Sequence, residues 1–358
     1  MSNRLCFIGG GLKVGGQERA MVFLANSLAK KGYSVIILCL FKTHIDFDLH
    51  PKIKVVFPSF NRDSLNKFVY AILLIPYIRK SIKRHHSNTM ICFGDWFNSY
   101  AVIATFGLKV RKVITNRMGP NLFLGRVVEN LNKFFYKYSD VMVVQTLRAK
   151  EIIERKYSLN EVKVIPNPIQ PFGYNRSDLH NNILTIGRLS KEKGHEILVQ
   201  AFSLLEHKKW ILHIVGDGRE KDNLQDLVKS LNLEERVVFH GLLKDFKHLL
   251  ANSDIFVLPS LYEGFPNALL EAMGSGLCCV ASDCVAGPSE LIKNNYSGKL
   301  FEPGNYIELS LILNELILDK ELRDSMARNA FDSLIPYERN SIVNQFEEVL
   351  FTNEVISN

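Results

Sequence analysis

The chain of 358 residues reads as an α/β protein with two doubly wound, parallel-sheet domains, and three observations predict this. Short apolar runs alternate with helix-length segments, which is the order that builds parallel sheets covered by helices. A strand, a glycine-rich loop and a helix follow one another twice, at Leu5–Ile8 with Gly9–Gly16 and at Ile183–Ile186 with Gly187–Gly194. Between them lies a stiff proline-braced break, Val164-Ile165-Pro166-Asn167-Pro168-Ile169, followed by the polar, turn-rich residues 171–178. The length suffices for two separate cores, with the boundary expected at 168/169.

Composition narrows the class. Hydrophobic residues make up 47% and charged residues 23% of the chain, as in an ordinary globular protein and unlike a disordered one. The six cysteines fall mostly in apolar runs with no CxxC pair, so they read as buried thiols of a reducing compartment. The N-terminus enters a strand without a signal-peptide pattern, which makes a cytoplasmic protein the expectation and leaves the sequons at Asn175 and Asn295 without meaning. The net charge of +7 is divided: residues 1–172 carry 26 Lys+Arg against 10 Asp+Glu (+16), and residues 173–358 carry 18 against 27 (−9). A basic half suits an anionic membrane surface or nucleic acid, and no nucleic-acid recognition motif accompanies it.

In the first half the strand Leu5–Ile8 runs into a glycine loop and a helical pattern, Ala20, Phe23, Leu24 and Leu28, that closes at Gly32. The loop fits neither the dinucleotide fingerprint nor a P-loop, since Val14 and Gln17 stand where glycine and lysine would be needed. Adjacent Gly15 and Gly16 either admit a ligand close to a helix start or make a structural turn. Further strands are expected at Val35–Leu40, Lys54–Phe57, Met90–Phe93, Lys112–Thr115 and Val141–Gln145. Two strand ends, Phe93 to Asn98 and Thr115 to Pro120, combine polar side chains with chain-bending residues, and supply Asp95, Asn98 and Arg117 as candidates. Asp46-Phe47-Asp48 has the look of a metal-binding DxD but follows the second strand in a surface loop.

The second half centres on Glu263-Gly264-Phe265-Pro266-Asn267-Ala268-Leu269-Leu270-Glu271-Ala272-Met273-Gly274. The buried run Ile255 to Leu258 precedes it, Pro266 suits a first helical position and Gly274 a stop, so Glu263 lies at a strand's carboxyl end beside a helix start. In an open α/β sheet that rim is where ligands bind, and the amides of residues 265–268 would face them. Arg188 and Lys193 flank the turn after Ile183–Ile186, where two fixed cations would bind a diphosphate and stabilise charge on a departing group. Strands at Trp210–Val215 and Val237–Leu243 lie between, and Cys278–Ala281 with Gly287-Pro288-Ser289-Glu290 follows. The pattern Ile342, Phe346, Val349, Leu350 is an amphipathic helix.

The Glu-x7-Glu segment EGFPNALLEAMG, together with the GG-x-E-R loop, the P-N linker, R-x4-K-G, G-D-G, F-x-G and the closing G-P-x-E turn, resembles the retaining nucleotide-sugar glycosyltransferases of family 4 over nearly the whole chain. The resemblance implies the GT-B fold: an acceptor-side domain at 1–168, a donor domain at 169–337, a cleft between them, and a last helix at about 338–358 returning to the first domain. It implies a nucleotide-sugar donor, with UDP the expected nucleotide, and a glycan or lipid-linked acceptor. Catalytic roles would fall to Arg188, Lys193 and Glu263, and donor contacts to Gly15, Gly16, Arg188, Lys193, Leu243, Glu263, Phe265, Pro266, Asn267 and Glu271. In that scheme Glu271 binds the ribose hydroxyls, Glu263 and the amides after it face the sugar, and the backbone after Gly241 meets the base. Asp95, Asn98 and Arg117 would lie on the acceptor side, although many members have a histidine near Arg117. No cofactor or metal is expected, because the two cations would do a metal's work. A nucleotide-sugar epimerase of the same fold and an inert sugar-nucleotide-binding protein are the alternatives.

Residues Asn66 to His86 combine the apolar run Phe68–Ile78, too short to span a bilayer, with Lys67, Arg79, Lys80, Lys83 and Arg84, and Phe123 to Tyr138 repeats that composition. Such segments either lie in a membrane interface or pack on the core with a basic outer face; the charge division favours peripheral attachment to the inner face of a membrane.

Overall fold

The computed structural model describes residues 4–13, 15–169, 180–243, 245–285 and 287–351. The polar stretch 171–178 and Asn175 therefore lie outside the described residues. Two compact units are present, one made of Met1–Pro168 with Asn340–Asn358 and the other of Ile169–Arg339.

The first unit holds seven strands: β1 (Arg4–Gly9), β2 (Ser34–Cys39), β3 (Lys54–Val56), β4 (Thr89–Phe93), β5 (Arg111–Thr115), β6 (Val141–Val144) and β7 (Val162–Val164). They form one parallel sheet in the order β3-β2-β1-β4-β5-β6-β7. Successive residues of a strand point to opposite faces, so Leu5 and Phe7 feed one core layer while Cys6 and Ile8 feed the other. Both layers are covered by helices, which is why these strands read as continuous apolar runs. The helix Gly16–Lys30 covers the Leu5 and Phe7 layer through Leu24 and Leu28, and Lys67–Arg84 covers the opposite one through Leu74 and Ile78. The last helix, Arg339–Leu350, adds Ile342, Val343, Phe346, Val349 and Leu350 to the first of these layers. Its final turn is held where Arg111 Nε donates to the Val349 carbonyl at 2.7 Å. Val164, read in the sequence as the first residue of the linker, is the last residue of edge strand β7, paired with β6.

The second unit holds β8 (Asn182–Ile186), β9 (Ile211–Val215), β10 (Val237–Gly241), β11 (Ile255–Leu258), β12 (Cys278–Ser282) and β13 (Lys299–Phe301). These too are all parallel, in the order β10-β9-β8-β11-β12-β13. Ile183, Val257 and Val280 face the helices His195–Ser203 and Tyr306–Leu318, and Leu184, Phe256 and Cys279 face the helix Asn267–Gly274. All six cysteines are buried free thiols. Each sheet reverses its strand order once, between β1 and β4 and between β8 and β11. Connections leave on opposite sides there, so the carboxyl ends of those strands frame a crevice.

Candidate functional site

In the second unit, β8 and β11 are in register only at Ile183 with Ile255 and Leu184 with Phe256, and their carboxyl halves are unladdered. The loop leaving β8 crosses this gap. Gly194 makes the crossing with φ +63°, and a Cβ there would stand 2.1 Å from the Pro259 carbonyl oxygen, so only glycine lets the loop lie on the end of β11. The approach sets Lys193 against Glu263, Nζ to Oε1 at 2.6 Å. Ser260 Oγ donates to the same carboxylate oxygen at 2.7 Å, and the Ser282 hydroxyl donates to the Ser260 carbonyl. Glu263 is 5% exposed, whereas the Lys193 side chain is 26% exposed. Arg188, at the head of the same loop, is exposed. Residues 70 positions apart, Lys193 and Glu263, thus meet across the switch point.

The element that follows differs from its sequence expectation in one respect. Pro266 is the residue before the helix, with φ −84° and ψ 72°, and the helix runs Asn267–Gly274. These angles make an inverse γ-turn in which the Asn267 amide donates to the Phe265 carbonyl at 3.0 Å. Pro266 has no N–H, so residues 265–268 offer three amides to a ligand, and one of these, that of Asn267, is engaged inside the turn. The Phe265 side chain is a core residue beside Leu269 and Met273, leaving its backbone as the part at the rim. Glu271 lies on the second helical turn and is half-buried. Gly287, at φ +148°, brings the turn after β12 onto this element, since a Cβ there would sit 2.5 Å from Pro266 Cδ. Leu243 is partly buried beyond Gly241, and its neighbour Leu242 is 81% exposed.

Sequence reasoning missed Ser260, Ser282, Cys284 and His195. Burial, followed by the negative charge of Glu263, pushes the Cys284 thiol up to about 11, so it is a neutral wall of the site. His195 opens the helix after Gly194, is 3% exposed, and is pushed down to about 4 by burial and then by Lys193, which keeps it neutral. Only a Ser-x2-Glu spacing marked Ser260, and that spacing does not say which carboxylate oxygen the hydroxyl meets.

In the first unit Gly15 precedes the helix that starts at Gly16, and the Arg19 amide donates to the Gly15 carbonyl at 2.9 Å. The three acceptor-side candidates are brought together, but as a brace. Asp95, 3% exposed, accepts from Asn116 Nδ2 and from the amides of Arg117 at 3.0 Å and Met118 at 3.2 Å. Burial pushes its carboxyl above the usual range against the downward pull of these donors. Asn98 has no exposed surface; its amide nitrogen donates to the Thr115 carbonyl at 2.9 Å and to the Tyr136 hydroxyl at 3.2 Å. Arg117 lies over Phe93 at 5.1 Å and Phe346 at 5.7 Å and donates to Asn167 Oδ1 at 2.7 Å, with burial lowering it to about 10. Asp95 and Asn98 fix the loop after β5, because buried polar groups take partners from the nearest backbone. Asp46 and Asp48 are exposed in the loop after β2. Among the described residues no group of three or more His, Cys, Asp or Glu is placed to hold a metal ion.

On the outer surface the helix Lys67–Arg84 shows two faces. Tyr70, Leu74 and Ile78 are in the core, while Phe68, Val69 and Ile72 are exposed beside Lys67. Arg79 ties this helix to the carbonyls of Ala104 and Phe106, and exposed Phe106 meets Tyr138 edge-on at 5.3 Å. Tyr138 neighbours exposed Phe134, and Lys137 stands over both rings. Arg79 and Phe106 thereby link the two basic, apolar segments of the sequence. No described helix is long and apolar enough to cross a membrane.

Two family models match. Residues 14–171 match "Glycosyltransferase Family 4" and residues 168–333 match "Glycosyl transferases group 1". Among curated proteins, an amylovoran biosynthesis glycosyltransferase of Erwinia amylovora is 27% identical, covering 98% of this chain and all of its own. An α-1,4-N-acetyl-D-galactosaminyltransferase of Campylobacter jejuni, named for an undecaprenol-diphosphate-linked saccharide, is 28% identical over 91% of this chain and 92% of its own. Among solved structures, Anabaena HepE in complex with UDP superposes with a TM-score of 0.80 at 21% identity, over 98% of this chain and all of that one. The Staphylococcus aureus TarM G117R mutant with UDP superposes with a TM-score of 0.83 at 15% identity, over 98% of this chain and all of that one. At these identities the structural likeness speaks for the fold, which is GT-B.

Proposed function

The chain belongs to the group 1, family 4 glycosyltransferases, and from that premise we propose that it transfers a hexosyl or N-acetylhexosaminyl unit from a UDP-sugar to a hydroxyl of a glycan or lipid-linked saccharide, with retention of configuration, in the synthesis of a cell-surface glycan. The observation that carries this reading is the β8/β11 switch point, where exposed Arg188 and the Lys193–Glu263 pair stand at the mouth of a parallel sheet. Arg188 and Lys193 hold the diphosphate and stabilise the charge that grows on it as the glycosidic bond breaks. Glu263 accepts from the transferred sugar's hydroxyls, Glu271 from the ribose, and the backbone near Leu243 meets the base. Gly15 and Gly16, at a helix start, admit the donor closely. The leaving phosphate oxygen takes the acceptor's proton on the face it departs from, so no protein base is required.

A panel of nucleotide sugars read by thermal unfolding tests the donor: a ligand at 100 times its Kd stabilises by about 2.7 kcal/mol. Stabilisation by a UDP-sugar beyond that by UDP supports the reading, and none by any nucleotide overturns it. With cations in place of a metal, most of the rate survives excess EDTA; abolition by EDTA and rescue by Mg²⁺ or Mn²⁺ would bring Asp46 and Asp48 back as ligands.

We further propose that the first unit attaches peripherally to the inner, anionic face of a membrane and so meets a lipid-linked acceptor. Support comes from the exposed apolar residues Phe68, Ile72, Phe106, Phe134 and Tyr138 and the exposed Lys80, Lys83 and Lys137 of this unit, in which rings suit the interface and cations the headgroups. Sedimentation with anionic vesicles at low salt, lost at high salt, is the expected result. Equal binding to neutral and anionic vesicles, or none to either, would favour an acceptor free in solution.

A further inference from the structure

Lys193 and Glu263 are assigned to two parts of one donor, the diphosphate and the sugar, yet each is the other's partner at 2.6 Å. A lysine this close to a carboxylate loses much of its attraction for a second anion, because the two charges largely cancel at a distance. The two residues are not equally free to separate. Glu263 is 5% exposed and receives Ser260 Oγ at 2.7 Å, and Ser260, fully buried, is gripped in turn through its carbonyl by Ser282. Lys193, with the more exposed side chain, ends a flexible stem on a loop. Both hydrogen bonds made to Glu263 among the described residues fall on Oε1.

We propose that Lys193 is an exchangeable cation, which trades Glu263 for the diphosphate of an arriving donor and, in leaving, uncovers Glu263 Oε1 for a hydroxyl of the donor sugar while Ser260 keeps the carboxylate in place. This rests on the reading of the site as a nucleotide-sugar site and adds a direction to it. A nucleoside diphosphate alone breaks the ion pair without returning a partner to Glu263; a nucleotide sugar breaks it and supplies one. The site therefore favours the intact donor over the spent nucleotide, and Glu263 recaptures Lys193 once the sugar has gone, which speeds release of the product.

Calorimetry with UDP, and uridine as a control, on the wild type, Glu263→Gln, Lys193→Ala and the double variant tests the exchange. Removing the competitor carboxylate is expected to tighten UDP by roughly threefold to tenfold, the range for a partly buried ion pair, and to leave uridine unchanged. In the Lys193→Ala background the same change shifts UDP by less than about twofold. UDP bound equally or more weakly by Glu263→Gln, or tightened as much without Lys193, overturns the exchange while leaving the donor reading intact. If the wild type binds none of UDP, GDP or ADP, both fall. Should Glu263→Gln fail to fold, Glu263→Asp draws the carboxylate back by one methylene and is read in the same way.

Discussion

The switch point of the first sheet, between β1 and β4, and that of the second, between β8 and β11, share a topology, but their polar side chains do different things. After β4 and β5, Asp95 and Asn98 are turned inward onto backbone donors and acceptors, and Arg117 lies over the rings of Phe93 and Phe346. After β8 and β11, Arg188 stays exposed, and Lys193 and Glu263 hold each other at a rim. Topology decides where polar chain ends gather; local packing decides whether they close on themselves. Charge runs the other way, since residues 1–172 carry +16 and residues 173–358 carry −9 (26 − 10 and 18 − 27), yet the cations at the open rim belong to the acidic part. Net charge describes a surface, and a site is made by a few side chains.

The largest effect should come from breaking the open rim. Arg188→Ala removes a cation expected to bear on the departing diphosphate and should lower turnover by about 10²–10³, by analogy with the loss of one transition-state donor, with unfolding unchanged. A loss under about threefold would mean that the diphosphate is held elsewhere. The matching change at the closed rim, Asp95→Ala, strands three donors, the Asn116 amide and the backbone amides of Arg117 and Met118. At about 1–3 kcal/mol for a buried group left without a partner, it should cost about 3 kcal/mol of stability and lower the thermal midpoint by about 6–12 °C. A variant as stable as the wild type with lost acceptor binding would give Asp95 an acceptor-side role in place of a bracing one.

Legibility follows the same division. Strand runs were readable to within a residue or two, because a strand buried on both faces must be apolar throughout, and β1, β2, β8 and β12 begin and end close to where the apolar runs do. The three-residue strands β7 and β13 were missed, whereas β3, equally short, was read from the run Lys54–Phe57. The places of Arg188 and Lys193 after β8 and of Glu263 after β11 were legible from the strand-loop-helix order. The engagement of Asn98 with Tyr136 was not, since it joins residues 38 apart whose meeting is a fact of packing. Nor was the γ-turn at Pro266 distinguishable from a first helical residue, because proline holds nearly the same φ in both.

The smallest effect, and the one that sharpens the comparison most, concerns Glu271. It lies on the second turn of Asn267–Gly274, half-buried, on a helix whose Leu269, Leu270 and Met273 carry the packing. Removing its carboxylate takes away no apolar core, so the fold should persist. A ribose diol that donates to it loses charge-assisted hydrogen bonds worth about 1.5–3 kcal/mol, so Glu271→Ala should weaken UDP binding by roughly tenfold or more in calorimetry. Ribose also separates this role from a general field effect: 2′,3′-dideoxy-UDP, which lacks both hydroxyls, should bind the wild type and Glu271→Ala equally. If the variant instead weakens both nucleotides alike, Glu271 acts through the helix and not on the sugar, and the open rim would end at Glu263.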